Sequence, residues 1–161
     1  MKNLKNYAFT LVEILIVLSI IGIISSILLV SFSGIRTKAK DAKRKAEVSQ
    51  IGKFLTMSCY MPNGGAGEYD LINLANELLV KYPQFLSQVP KDPKTGNDTE
   101  SKYIYIVSSD GRKCALYANL ESPEEPVTLT ITVPTPGGGK GVFKADNPGW
   151  NGTKIFYQYS N

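Results

Sequence analysis

Apolar residues are distributed along this chain in two distinct ways. From Ile14 to Phe32 nineteen residues carry no charge, and the polar breaks are Ser19, Ser25, Ser26 and Ser31, with Gly22 among them. A run of that length is enough to span a bilayer as a helix. Beyond it the pattern becomes periodic. Ile35, Ala39, Ala42 and Ala46 step by four, three and four, and Ile51, Phe54, Leu55 and Cys59 carry the stripe onward while charges fill the other face. That spacing predicts an apolar stripe on a helix. One helix is expected over about residues 10–60, roughly 75 Å at the standard rise. Its half at 9–32 is apolar all round, and its half at 33–60 is one-sided.

The stretch "MPNGGAG" at 61–67 ends that helix with Pro and Gly. In "DLINLANELLVKY", residues 70–82, Leu71, Leu74, Ala75, Leu78 and Tyr82 share one face, and Asp70 stands where an N-cap is expected. A turn-rich loop over 88–103 leads into "KYIYIVSSDGRKCALYANLE" at 102–121, two alternating runs about Ser109-Asp110-Gly111, which reads as a hairpin. "PVTLTITVP" at 126–134 alternates cleanly and predicts a strand with Val127, Leu129, Ile131 and Val133 inward. "PTPGGGKG" reads as a flexible loop, and 151–161 supplies a terminal strand. The expected class is α+β: a long N-terminal helix, membrane-spanning in its first half, laid on a small antiparallel sheet of about four strands. Residues 61–161 form the globular head.

Composition narrows the chemistry. About 125 residues remain outside the apolar segment, enough for one modest core and no second catalytic domain. Histidine is absent, which removes the commonest general base and metal ligand. No nucleophile–base pair is found, and "GGGKG" at 137–141 is no phosphate loop because neither Ser nor Thr follows Lys140. A non-enzymatic role is expected. The formal charge of +4 is local. "RTKAKDAKRK" at 36–45 holds six cations and one anion, whereas 46–161 holds ten cations against twelve anions. Such a collar after a membrane helix suits anionic lipid headgroups, filament packing or, less directly, nucleic acid. Cys59 and Cys114 are too few for a four-ligand zinc site. In an exported domain they read as one disulfide; two buried thiols are the alternative.

The string "AFTLVEILIVLSIIGIISSI" resembles the N-terminus of type IV prepilins and of the pseudopilins of type II secretion and competence systems. Their pattern is a short basic leader, a cut before Phe, then Thr-Leu-hydrophobic-Glu and a long apolar run. Lys2 and Lys5 supply the basic leader, and Phe9, Thr10, Leu11, Val12 and Glu13 match in order. The resemblance is tight over residues 1–55. It implies a leader at 1–8, a cut between Ala8 and Phe9 by a prepilin peptidase, and N-methylation of Phe9. It also implies a pilin-like fold, storage in the bacterial cytoplasmic membrane with an exported C-terminal domain, and polymerisation into a homo-oligomeric pilus or pseudopilus at the cell surface or in the periplasm. An assembly platform protein and an assembly ATPase are the implied partners. Two positions depart from the pattern: Ala8 stands where glycine is usual before the cut, and Val30 stands where many relatives have proline. The small head leans toward a major pseudopilin.

The resemblance also accounts for Glu13, an acid near the start of a segment meant for lipid, where a carboxylate costs a few kcal/mol. Cleavage turns Phe9 into an ammonium terminus, which on a neighbouring subunit can neutralise Glu13 and set axial register. Snorkelling to the headgroups is the plainer reading. The cation count around the span argues that the head stays in the cytoplasm, against the export that the resemblance implies. "SFSG" at 31–34 offers small residues for an ordinary signal peptidase. Asp92, Asp98, Glu100, Asp110 and Asp146 lie in loops where oxygen ligands suit calcium, or serve as solvated turns; no cofactor is otherwise expected. Asn97 and Asn151 open sequons that read as chance. The alternative in a different class is a monomeric single-pass membrane protein whose exported domain binds a ligand or DNA.

Overall fold

The computed structural model describes residues 10–161, with side chains 27–33 excepted. It contains two compact units, residues up to Arg36 and Thr37–Asn161. Helix α1 runs over Leu11–Leu55. In the second unit it is followed by β1 (Gly67–Asp70), a single 3-10 turn (Leu71–Leu74), α2 (Ala75–Lys81), β2 (Ile104–Val107), β3 (Cys114–Asn119), β4 (Gly141–Lys144) and β5 (Ile155–Ser160). The strands form one antiparallel sheet in the order β1-β2-β3-β5-β4. The fold class is α+β, consistent with a pilin-like architecture.

The sheet is covered on both faces. Tyr105 and Val107 of β2 join Leu116 of β3 and Tyr157 of β5 on the side packed with Val48, Ile51 and Leu55 of α1. Each such side chain contributes about 1.5–3 kcal/mol on burial. On the other face Tyr117, Phe143 and Phe156 make a second layer, with Ile104, Ile106 and Trp150 against it. Phe143 and Phe156 stack at 5.4 Å between centroids. Covered from both sides, β3 is buried along its whole length.

α1 closes on Cys59, which sits at φ 33 while the N–H of Tyr60 donates to the carbonyl of Leu55 at 3.1 Å. That geometry is the left-handed cap usually filled by glycine. Asp70 caps the next helical segment as expected, its carboxylate accepting from the N–H of Ile72 at 2.9 Å. The first turn is 3-10 and only Ala75–Lys81 is α-helical, so the apolar face of 70–82 is correct while its winding changes within it.

Three expectations are corrected. The stripe Ile35, Ala39, Ala42, Ala46 does not face the core: Ile35 is 59 % exposed and the three alanines are exposed. The second half of the stripe, Ile51, Phe54, Leu55 and Cys59, is buried, and before it the buried positions are Asp41, Arg44 and Val48. They have the same helical period, rotated about the axis, because a buried ion pair occupies the first two. The segment 126–134 is not a strand. The N–H groups of Thr128 and Leu129 both donate to the carbonyl of Val142, at 2.8 and 2.9 Å, so no alternating ladder propagates there. Leu129 and Ile131 pack on the second layer, whereas Val127 and Val133 are 49 % and 58 % exposed. Finally, the sheet has five strands instead of four. β1 and β4 each begin on the last glycine of a turn-rich stretch, Gly67 and Gly141, and continue through residues for which the sequence pattern predicts no element; the 137–139 turn is tied to β5 by Gly137 N–H to Ser160 Oγ (2.7 Å) and Gln158 Nε2 to the Gly139 carbonyl (3.0 Å).

Candidate functional site

In the first unit, α1 opens on a reciprocal pair. Glu13 Oε2 accepts from the backbone N–H and from the hydroxyl of Thr10, both at 2.8 Å, and the Glu13 N–H donates back to Thr10 Oγ at 3.3 Å. This is a capping box: two donors at the helix start are satisfied by a Thr-x-x-Glu spacing. The Thr-x-x-Glu spacing of this box is written in "TLVE" at 10–13. Ala8 and Phe9, the expected cut and methylation positions, lie outside the described residues.

After the cap, apolar side chains are exposed on every side of the helix. Leu11 is 78 % exposed, and Val12, Ile14–Leu18, Ile20, Ile21, Ile23 and Ile24 all exceed 48 %. The interrupting serines turn inward on their own backbone, Ser19 Oγ donating to the Leu15 carbonyl at 2.8 Å and Ser26 Oγ to the Ile23 carbonyl at 2.7 Å. Their hydroxyls thereby add little polarity to the surface. Among the described residues no helix is long and apolar enough to cross a membrane; the described side chains of this stretch end at Ser26, while the uncharged run continues in sequence to Phe32.

In the second unit the basic collar is drawn into the protein. Arg44 is fully buried. Its guanidinium holds Asp92 through Nε at 2.7 Å and a second nitrogen at 2.9 Å, and Asp41 at 2.7 Å. Asp92 also accepts from the N–H of Lys94 and Thr95 and from Asn151 Nδ2, at 2.9, 3.0 and 3.0 Å. Asp41 accepts from the N–H of Glu121 and Ser122, each at 2.8 Å. One side chain of α1 thus organises the 92–95 loop, the 119–122 segment and the turn at Asn151. Burial pushes the Asp92 carboxyl up, but Arg44, the two loop N–H groups and Asn151 outweigh it and hold it well below the usual carboxylate range. Lys40 and Lys94 flank Glu121 at 3.5 Å, Lys45 reaches Glu125 at 2.8 Å and Lys43 reaches Glu47 at 3.8 Å. Of the six collar cations, Arg36 and Lys38 are left exposed without an ion-pair partner among the described residues. The other four collar cations are engaged in ion pairs within the head.

Cys59 and Cys114 are joined in the structure, with Cα atoms 5.6 Å apart, linking the end of α1 to the first residue of β3. The loop carboxylates do not converge. Asp98 pairs with Lys91, Glu100 with Lys102 at 2.5 Å and Asp110 with Ser108 at 2.6 Å, while Asp92 belongs to Arg44. Among the described residues no group of three or more His, Cys, Asp or Glu could hold a metal ion. Asn151 is buried with its amide engaged, and Asn97 is exposed with its carbonyl accepting from Thr99 and Glu100.

A family model, the prokaryotic N-terminal methylation motif, matches residues 3–29. The chain therefore carries the prepilin signature shared by type IV pilins and pseudopilins, a structural and membrane-anchored class. No curated protein and no solved structure matches the chain significantly.

Proposed function

We propose that this protein is a structural subunit of a type IV pilus or pseudopilus, polymerised through the N-terminal part of α1. The observation that carries the reading is the methylation motif at 3–29, within which α1 begins as a helix whose apolar side chains are exposed all round. Such a surface needs lipid before assembly and other copies of itself afterwards. Prepilin peptidase cuts between Ala8 and Phe9 and the new amine at Phe9 is methylated, a change that keeps its charge. A platform protein and an ATPase then extract the subunit from the cytoplasmic membrane, with the head on the exported side. The disulfide supports that side, because such bonds persist in oxidising compartments.

Glu13 is the register group. In the single subunit the Thr10 cap keeps its carboxylate at the helix start; in the filament the Phe9 ammonium of a neighbour takes it over at low dielectric. Mass spectrometry of the mature protein tests the proposal. A chain that begins at a methylated Phe9 is the expected result; an intact Met1 start sinks it in favour of a monomeric membrane protein.

A further inference from the structure

The head carries an apolar groove of about 320 Å³ at the C-terminal end of α1, lined by Gln50, Lys53, Phe54, Met57, Gln84 and Phe85. Its floor is a pair of stacked rings, Phe54 and Phe85, 5.5 Å apart and 14° from parallel. It is open to solvent: Met57 is 77 % and Phe85 54 % accessible. Lys53 stands at the rim, exposed and without an ion-pair partner among the described residues.

The same head has a feature complementary to this groove. Residues 123–127, Pro-Glu-Glu-Pro-Val, form no regular element, and Pro123, Glu124, Pro126 and Val127 are exposed. Pro123 and Glu124 lie in a turn and Glu125 in a bend, and the apolar Pro126 and Val127 follow. Glu124 also lacks an ion-pair partner among the described residues, so Lys53 and Glu124 are charges of opposite sign beside two apolar surfaces of matching kind. The segment cannot reach the groove of its own chain. Glu125 is tied to Lys45 at 2.8 Å, and Lys45 lies two turns before Lys53, about 12 Å along the helix.

We propose that the groove receives the 123–127 segment of a second copy, with Glu124 of that copy on Lys53 and Val127 against Met57 and Phe85. The contact joins two different surfaces, so its repetition builds an extended array or ring and not a two-fold dimer. This rests on the filament reading and adds a contact between heads.

Full-length protein, half of it isotopically labelled, is assembled and treated with a zero-length carbodiimide. The expected product is a Lys53–Glu124 cross-linked peptide carrying one labelled and one unlabelled partner. Lys53→Glu and Glu124→Lys each reduce that product or the yield of linked dimers by about tenfold, as like charges facing at a rim do. Combining the two substitutions restores dimers, because the pair is only reversed. Mixed-label cross-links from Lys53 to other carboxylates, or assembled filaments without any Lys53 cross-link, overturn the proposal. Processing at Phe9, measured on the same sample, reports separately on the filament reading.

Discussion

Arg44 shows what a single buried charge does here. Its guanidinium is the only cation in contact with both Asp41 and Asp92 among the described residues, and both carboxylates are buried. Removing it leaves two acids without a counter-charge. Arg44→Ala should cost about 3–5 kcal/mol of unfolding free energy, read from chemical denaturation. The pH dependence follows from Asp92. Its folded carboxyl titrates below its unfolded counterpart, so its contribution is fully present above about pH 4 and fades as pH falls toward the folded value. Melting curves between neutral and strongly acidic pH should therefore slope downward below pH of about 4, and Asp92→Asn should flatten that slope. An unchanged slope in Asp92→Asn would assign acid sensitivity elsewhere. Residue by residue, Glu13 was legible because an acid in an apolar run is conspicuous. Arg44 was not, because a cation in "RTKAKDAKRK" looks like solvent-facing charge until Asp92, 48 positions later, is seen against it.

At the scale of elements, legibility followed local periodicity. α1, the β2–β3 hairpin and the terminal strand each carry a pattern set by their own neighbours, and each was found. β1 and β4 did not announce themselves, because each opens on a glycine, carries no alternating apolar run of its own and owes its form to pairing with β2 or β5. The alternation of 126–134 was genuine, but prolines at 123, 126 and 134 and the doubly used Val142 carbonyl keep that stretch out of the ladder. Packing of α1 on the sheet also depends on a residue that pattern reading ranks as a defect. A Cβ on Gly52 would lie 2.7 Å from both Cβ and Cγ of Tyr159, atoms close to the β5 backbone that cannot swing aside. Gly52→Ala gains about 1 kcal/mol of helix propensity, yet overpacking costs about 1–3 kcal/mol. A net loss of melting temperature is expected, with Gly52→Val worse. A more stable Gly52→Ala would show that α1 can lift off β5 at little cost. The Cys59–Cys114 link secures the same end of α1 across a separation of 55 residues. Reducing it should lower stability by about 4 kcal/mol in the chain-entropy model, seen as a shift in the denaturation midpoint with and without reductant.

For the whole molecule, the proposed function sets a physical problem: a helix apolar all round that would pass from lipid to a bundle of its own copies. Lipid and a bundle of like helices are equally apolar, so burial alone cannot drive transfer from one to the other. A polar group that is better satisfied in the bundle can. In a single subunit Glu13 is held by hydrogen bonds from Thr10; beside a neighbour's ammonium it gains a full counter-charge at low dielectric, and charge-assisted contacts are roughly twice as strong as neutral ones. The two substitutions at this site should therefore separate. Thr10→Ala removes the cap, worth about 1 kcal/mol of helix-start stability, and leaves the carboxylate, so subunits should still assemble, with slower or sparser growth. Glu13→Ala removes the group that gains from assembly, so the chain should be processed at Phe9, remain in the membrane fraction and yield few or no sheared filaments. Glu13→Gln keeps the size and a carbonyl acceptor for the cap without the charge, and it should fail like Glu13→Ala if the ion pair is what draws subunits together. Filaments of normal yield from Glu13→Gln would mean that capping, and not charge pairing, is the part Glu13 plays.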